Sequence, residues 1–199
     1  MITFDEMNNL TYEYNQHNKK NRHSLIELIQ KTTKLSEKKA AKAAKSYCVA
    51  ITLNLEMLFK KKIIEKYTLE DLFLFYFTNY MIKPESGWSY YSSAIIIQRL
   101  KDNNMIKNCS LIDIDSSYEG ETRDSVYNKL VSRSQEDDFK CARVCFGRKR
   151  SKSHTILVSR DNENRLVVMD TSYRGHSWSK NSFEKWITPK NILWWTEII

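Results

Sequence analysis

Glycine and proline are scarce, with 4 Gly and 2 Pro in 199 residues. That scarcity excludes collagen-like chains and Gly/Ser-rich or Pro-rich disordered ones. Long apolar runs are missing too. A membrane-spanning helix needs ~18–20 consecutive apolar residues, and residues 72–80 and 94–97, the best runs here, fall short of that. The opening Met-Ile-Thr-Phe-Asp-Glu-Met has no basic start and no apolar stretch behind it. No secretory signal peptide is therefore expected, and the chain reads as cytoplasmic unless a specialised route exports it. The four cysteines, Cys48, Cys109, Cys141 and Cys145, form no Cys-x-x-Cys and no Cys/His cluster of zinc-finger spacing. Neither a metal site nor a cofactor is implied, and a disulfide framework is not expected.

What is present is a globular composition: 41% hydrophobic and 28% charged residues, ample for one domain with a real core. The net charge of +8 permits contact with nucleic acid, anionic membranes or anionic polymers without choosing among them. Residues 1–22 are polar and read as an arm, loose or a short helix, ahead of a single domain over 23–199.

Helical patterns come first. Ser24 with Glu27 looks like a capping box opening a helix over 24–32. Residues 36–45 have high helix propensity, with Lys38, Lys42 and Lys45 on a face read as solvated. Residues 47–59 are almost wholly apolar, as in a central buried helix. Thr68-Leu-Glu-Asp71 caps a helix running to about Met81, and Pro84 and Gly87 punctuate. A helix over 89–102 turns Tyr91, Ile95 and Leu100 inward; a strand over 108–114 and a helix over 123–132 follow. Then the period becomes two. Residues 142–146, 155–159 and 166–169 read as strands, the last two joined by a polar turn, with a short helical piece at 183–186 and a final strand over 192–199. Helices followed by antiparallel strands argue an α+β fold with the helices packed on the sheet.

Three residues suit a cysteine hydrolase. Cys48 opens the most apolar helix, where unpaired N–H groups and the macrodipole favour a thiolate. His154 begins one strand of a hairpin and Asp170 ends its partner, and antiparallel pairing makes such positions neighbours. Asp170 can then orient the imidazole while its other nitrogen serves Cys48. Taken singly, each residue has a plainer reading: Cys48 as a small buried residue, His154 as a strand-edge histidine bonded to a carbonyl, Asp170 with Thr171 and Ser172 as a turn former. His176 is a second choice of base; His17 and His23 lie in the polar arm and are set aside.

In this order, Cys48, the strand around Phe139-Lys-Cys-Ala-Arg-Val-Cys-Phe146, the His-led His154-Thr-Ile-Leu-Val-Ser159, the closing Leu166-Val-Val-Met-Asp170 and a downstream Phe183-Glu-Lys-Trp186 resemble the papain-like superfamily of cysteine peptidases. The likeness is to the compact bacterial branch that processes bacteriocin leaders of the double-glycine type. It covers residues 42–199, densely only 126–190. The resemblance implies a papain-like fold, no cofactor, and an acyl-enzyme thioester on Cys48. The substrate would be a peptide, isopeptide or related amide in a peptide, protein or peptidoglycan. Two positions depart from it. Lys42 stands where relatives commonly place the Gln of the oxyanion hole, and Val49 where they often have Gly. Lys45, Ser46 or Tyr47 would then have to supply a donor beside the Cys48 N–H. The rival class is a catalytically inactive papain-like fold that binds nucleic acid or an anionic polymer through Arg148, Lys149, Arg150, Lys152 and the lysine stripe. Nucleic acid is not favoured, because Trp178, Trp186, Trp194 and Trp195 fall in periodic segments and read as packing.

Overall fold

The switch from helical to strand periodicity near residue 140 is carried straight into the architecture. The structure, a computed structural model, describes residues 2–13, 19–44, 47–83, 87–88, 92–148, 151–170 and 182–199, with the backbone alone at 12–13, 19–25, 82–83, 87–88, 148 and 151–152. Five helices come first: α1 (Phe4–Glu13), α2 (Lys19–Thr33), α3 (Glu37–Ala44), α4 (Cys48–Phe59) and α5 (Leu69–Thr78). A small hairpin, β1 (Ile82–Lys83) with β2 (Gly87–Trp88), separates them from α6 (Ser93–Asp102). Then come β3 (Leu111–Asp115), α7 (Arg123–Arg133), β4 (Cys141–Arg148), β5 (Ser151–Arg160), β6 (Leu166–Met169), α8 (Phe183–Trp186) and β7 (Ile192–Ile198). The five long strands form one antiparallel sheet in the order β3-β7-β4-β5-β6. The fold is α+β. No helix among the described residues is long and apolar enough to cross a membrane.

Alternation along each strand feeds two separate cores. Cys141, Leu157, Met169 and Ile198 face the helical core built on α4, whereas Ala142, Val144, Ile156, Val158 and Trp195 face α7 and α8. Trp195 also donates its indole N–H to the Val126 carbonyl of α7, 3.0 Å away. α4 packs against β4 and β5 and is buried almost all round, from Ala50 to Met57, as its uniform apolarity requires. The one charged residue of α4 is paired. Glu56 meets Arg143 of β4 at 2.6 Å, both side chains 0% exposed, and its other oxygen accepts from the Ile198 N–H at 2.7 Å. One turn on, Lys60 pairs with the buried Glu197 of β7 at 2.8 Å, and Arg133 of α7 donates to the same carboxylate at 2.7 and 3.0 Å. The helix that begins with Cys48 is thus pinned to the sheet at its far end. Removing one partner of the inner pair leaves the other charged and unpaired in the core. Glu56→Ala should cost ~3–5 kcal/mol, read as a lower urea midpoint, and Glu56→Leu with Arg143→Met should recover most of it.

Several expectations are corrected in detail. Of the two readings of the polar stretch 1–22, the described part takes the short helix, and α1 buries Met7 and Thr11, with the Thr11 hydroxyl 3.9 Å from the Met169 sulfur. The boundary drawn at 22/23 falls inside α2, which starts five residues before Ser24, so Ser24 lies within the helix and not at its start. α6 begins after Ser92, whose hydroxyl accepts from Ile95 N–H, and not at Ser89. Its packed face buries Ile96, Ile97 and Leu100 and leaves Ile95 45% exposed rather than inward; Tyr91 lies outside the described residues. α5 has the expected Thr68–Asp71 capping box but stops at Thr78, where Tyr80 turns left-handed (φ 56°) and Met81 N–H bonds back to Tyr76.

Candidate active site

At the sheet end opposite those ion pairs, Cys48, His154 and Asp170 come together. Cys48 is the first residue of α4, and Tyr47 before it makes no side-chain cap. Contrast α5, α6 and α7, where Thr68, Ser92 and Thr122 each cap the first turn. Uncapped N–H groups are donors a helix start can offer to an anion. At α4 one of them, from Val49, already bonds the Cys48 sulfur.

β5 supplies the next two partners. His154 lies opposite Phe146 in the β4 ladder, and Thr155 follows it opposite Cys145. β6 stops pairing at Met169 opposite Leu157. Thr155 therefore lies beyond the β6 ladder, and its N–H bonds the Cys48 sulfur instead. Extending the β5–β6 register by one residue puts Asp170 across from Ile156, on the same face as His154. There Asp170 Oδ1 lies 2.8 Å from His154 Nε2. This leaves Nδ1 as the ring nitrogen for Cys48, whose thiol hydrogen-bonds the imidazole. Asp170 is 1% exposed and His154 8%, while Cys48 is half-buried and the most open of the three.

Electrostatics follow from that arrangement. Burial pushes the Cys48 thiol up, but the hydrogen bond and charge of His154, with the Thr155 and Val49 N–H groups, outweigh it and hold the thiol below its ordinary 9.0. Burial opposes charge on His154 as well. The Asp170 and Cys48 hydrogen bonds and the charge of both overcome it and carry the ring from 6.5 to about 9. The two shifts act together toward a thiolate–imidazolium pair, and they titrate as a pair. The other cysteines go the opposite way. Burial drives up Cys109 and Cys141 and takes Cys145 to about 11. With limiting iodoacetamide at neutral pH, Cys48 should be alkylated well ahead of the other three, as read by peptide mass spectrometry. Preferential labelling of any other cysteine would contradict this geometry.

Lys42 is exposed on α3, and Lys38 is exposed too, as a solvated face requires. Lys45, Ser46, Lys149, Arg150, His17, His176 and Trp178 lie outside the described residues, and Arg148, Lys152 and His23 are described by backbone alone. Tyr47 is fully buried beside Phe77, with burial pushing its phenol far up. Trp195 is buried and Trp186 and Trp194 half-buried, as packing residues. No group of His, Cys, Asp or Glu among the described residues is arranged to hold a metal ion. The sequence reading missed two contributors, the Thr155 N–H and the Phe146 ring. Counting the hairpin register back from Asp170 would have exposed the first. Comparisons with protein-family models, curated proteins and solved structures returned no match.

Proposed function

We propose that this chain is a papain-like cysteine hydrolase of the peptidase or amidase kind. Cys48 is its nucleophile, His154 its general base and acid, and Asp170 the residue that positions the histidine. The observation that carries this reading is the continuous hydrogen-bond chain from the Cys48 thiol through the His154 ring to buried Asp170. In the reaction, the Cys48 sulfur attacks the carbonyl carbon of the scissile amide, with its proton held on His154 Nδ1. The C–N bond breaks as that proton passes to the leaving amine, which departs and leaves a thioester on Cys48. Water, deprotonated by the same nitrogen, attacks the thioester, the C–S bond breaks, and the acid product leaves as the thiol reforms. Oxyanion charge would fall near the uncapped start of α4, beside the Cys48 N–H. The bond cleaved is a peptide, isopeptide or related amide.

The test is an acid quench of the enzyme with a mixed peptide library. Intact mass should show an acyl adduct on Cys48 that neutral hydroxylamine removes. Cleavage should follow a bell in pH. The alkaline limb lies at about 9, where His154 gives up its proton, and the acid limb lies below the ordinary thiol value because the lowered Cys48 keeps its thiolate to lower pH. Library peptides left intact, with no adduct at any pH, would refute the assignment.

A further inference from the structure

Two hydrogen bonds hold the nitrogen edge of the His154 ring, one to Asp170 and one to Cys48. The flank of the ring is held by something else. Phe146 of β4 is the register partner of His154, and its ring centroid lies 5.9 Å from the imidazole with the planes at 74°. Behind Phe146 stands Trp186 of α8, at 6.2 Å and 82°. Phe146 is 4% exposed. Its backbone is unusual for a central strand. The ladder to β5 slips between Phe146 and Arg148, and the ladder to β7 slips between Cys145 and Phe146. Irregularities of this kind re-aim a side chain and are common beside active sites. Here both neighbouring ladders give way at a residue whose ring meets His154. The titratable groups facing the imidazole among the described residues are Asp170, at the end of β6, and Cys48, from α4. β4 and α8 present aromatic rings, Phe146 directly and Trp186 behind it.

We propose that Phe146 is a positioning residue for His154. Its ring, set edgewise against the imidazole and backed by Trp186, fixes the plane in which the histidine meets Asp170 and Cys48 together. The proposal rests on the cysteine-hydrolase reading above and extends it to a residue that touches no substrate. Without the ring the imidazole tilts, the Cys48 hydrogen bond lengthens, and water reaches the Asp170 contact. The thiolate then loses part of its stabilisation.

The experiment is the pH dependence of Cys48 alkylation by iodoacetamide, which needs no knowledge of the substrate. It compares wild type, Phe146→Leu, Phe146→Tyr and His154→Ala. Wild type should show a midpoint below that of His154→Ala. Phe146→Leu should move the midpoint upward and slow alkylation at pH 6 by about 3–10-fold, the scale of one aromatic pair contact, with the fold intact by circular dichroism. Phe146→Tyr, which keeps the ring, should retain the wild-type profile. A folded Phe146→Leu with the wild-type profile overturns the proposal, and so does a folded Phe146→Tyr that behaves like Phe146→Leu. If wild type and His154→Ala share one midpoint, the hydrolase reading itself falls and this inference with it. Should Phe146→Leu fail to fold, nuclear Overhauser effects between the Phe146 and His154 rings in wild type decide the matter. Their presence across pH 5–9 supports the ring contact and their absence overturns it.

Discussion

Cys48→Ala is expected to reduce cleavage to the rate of buffer, a loss of at least ~10⁴-fold, while leaving the fold and its stability nearly unchanged. The magnitude follows from chemistry. On the proposed hydrolase reading no other thiol can substitute, because Cys109, Cys141 and Cys145 are buried with their thiols pushed up, and removal of a nucleophile that acts as a unit with its base costs nearly the whole covalent contribution. Stability should hold because Cys48 is half-buried at a helix start, whereas the ties that pin α4 lie at its other end, through Glu56 and Lys60. The measurement is initial rate on a cleaved library peptide, beside a urea titration of both proteins. Turnover within tenfold of wild type would remove Cys48 from the chemistry.

Asp170→Asn should cost about 10–10³-fold in kcat/KM with the fold intact. Asn keeps the size and turn-forming habit of Asp, so a purely structural role at the end of β6 would survive the change. In the wild-type geometry Asp170 Oδ1 accepts from His154 Nε2 at 2.8 Å, which keeps the proton on Nε2 and aims Nδ1 at Cys48. The amide can turn its NH₂ to the ring instead, which selects the tautomer with its proton on the wrong nitrogen. In a serine-protease triad the same exchange costs ~10⁴, and a cysteine–histidine pair depends less on its third member. The substitution also removes the charge that helps raise His154 to about 9. The alkaline limb of the pH profile should therefore move to lower pH. Wild-type turnover and an unmoved alkaline limb would reduce the site to a Cys–His dyad.

Much of the fold, and the candidate triad, could be read directly because they depend on local pattern. The all-round apolarity of 47–59 requires a buried helix, the Thr68–Asp71 spacing satisfies its own orphan N–H groups, and alternation over 142–169 sets strands whose antiparallel pairing brings His154 beside Asp170. The helix and its cap are each decided within a dozen or so residues, and the His154–Asp170 pairing across a separation of 16. The tertiary structure decided the rest. Glu56 on a helix does not reveal that it will neutralise Arg143, 87 positions later, because nothing in either neighbourhood encodes the other's burial. The helix ends at Lys61 and Tyr80, both left-handed without a glycine, show no compositional mark. Ile95 faces solvent because it stands well round α6 from buried Leu100, and the choice of Ile96, Ile97 and Leu100 as the inward stripe belongs to the packing of α6. The slip of two ladders at Phe146 arises only when β4 lies between β5 and β7. Local pattern chose the elements and the hairpin neighbours. Only the assembled sheet, closed on α4, brought the Cys48 thiol to the ring nitrogen that Asp170 leaves open.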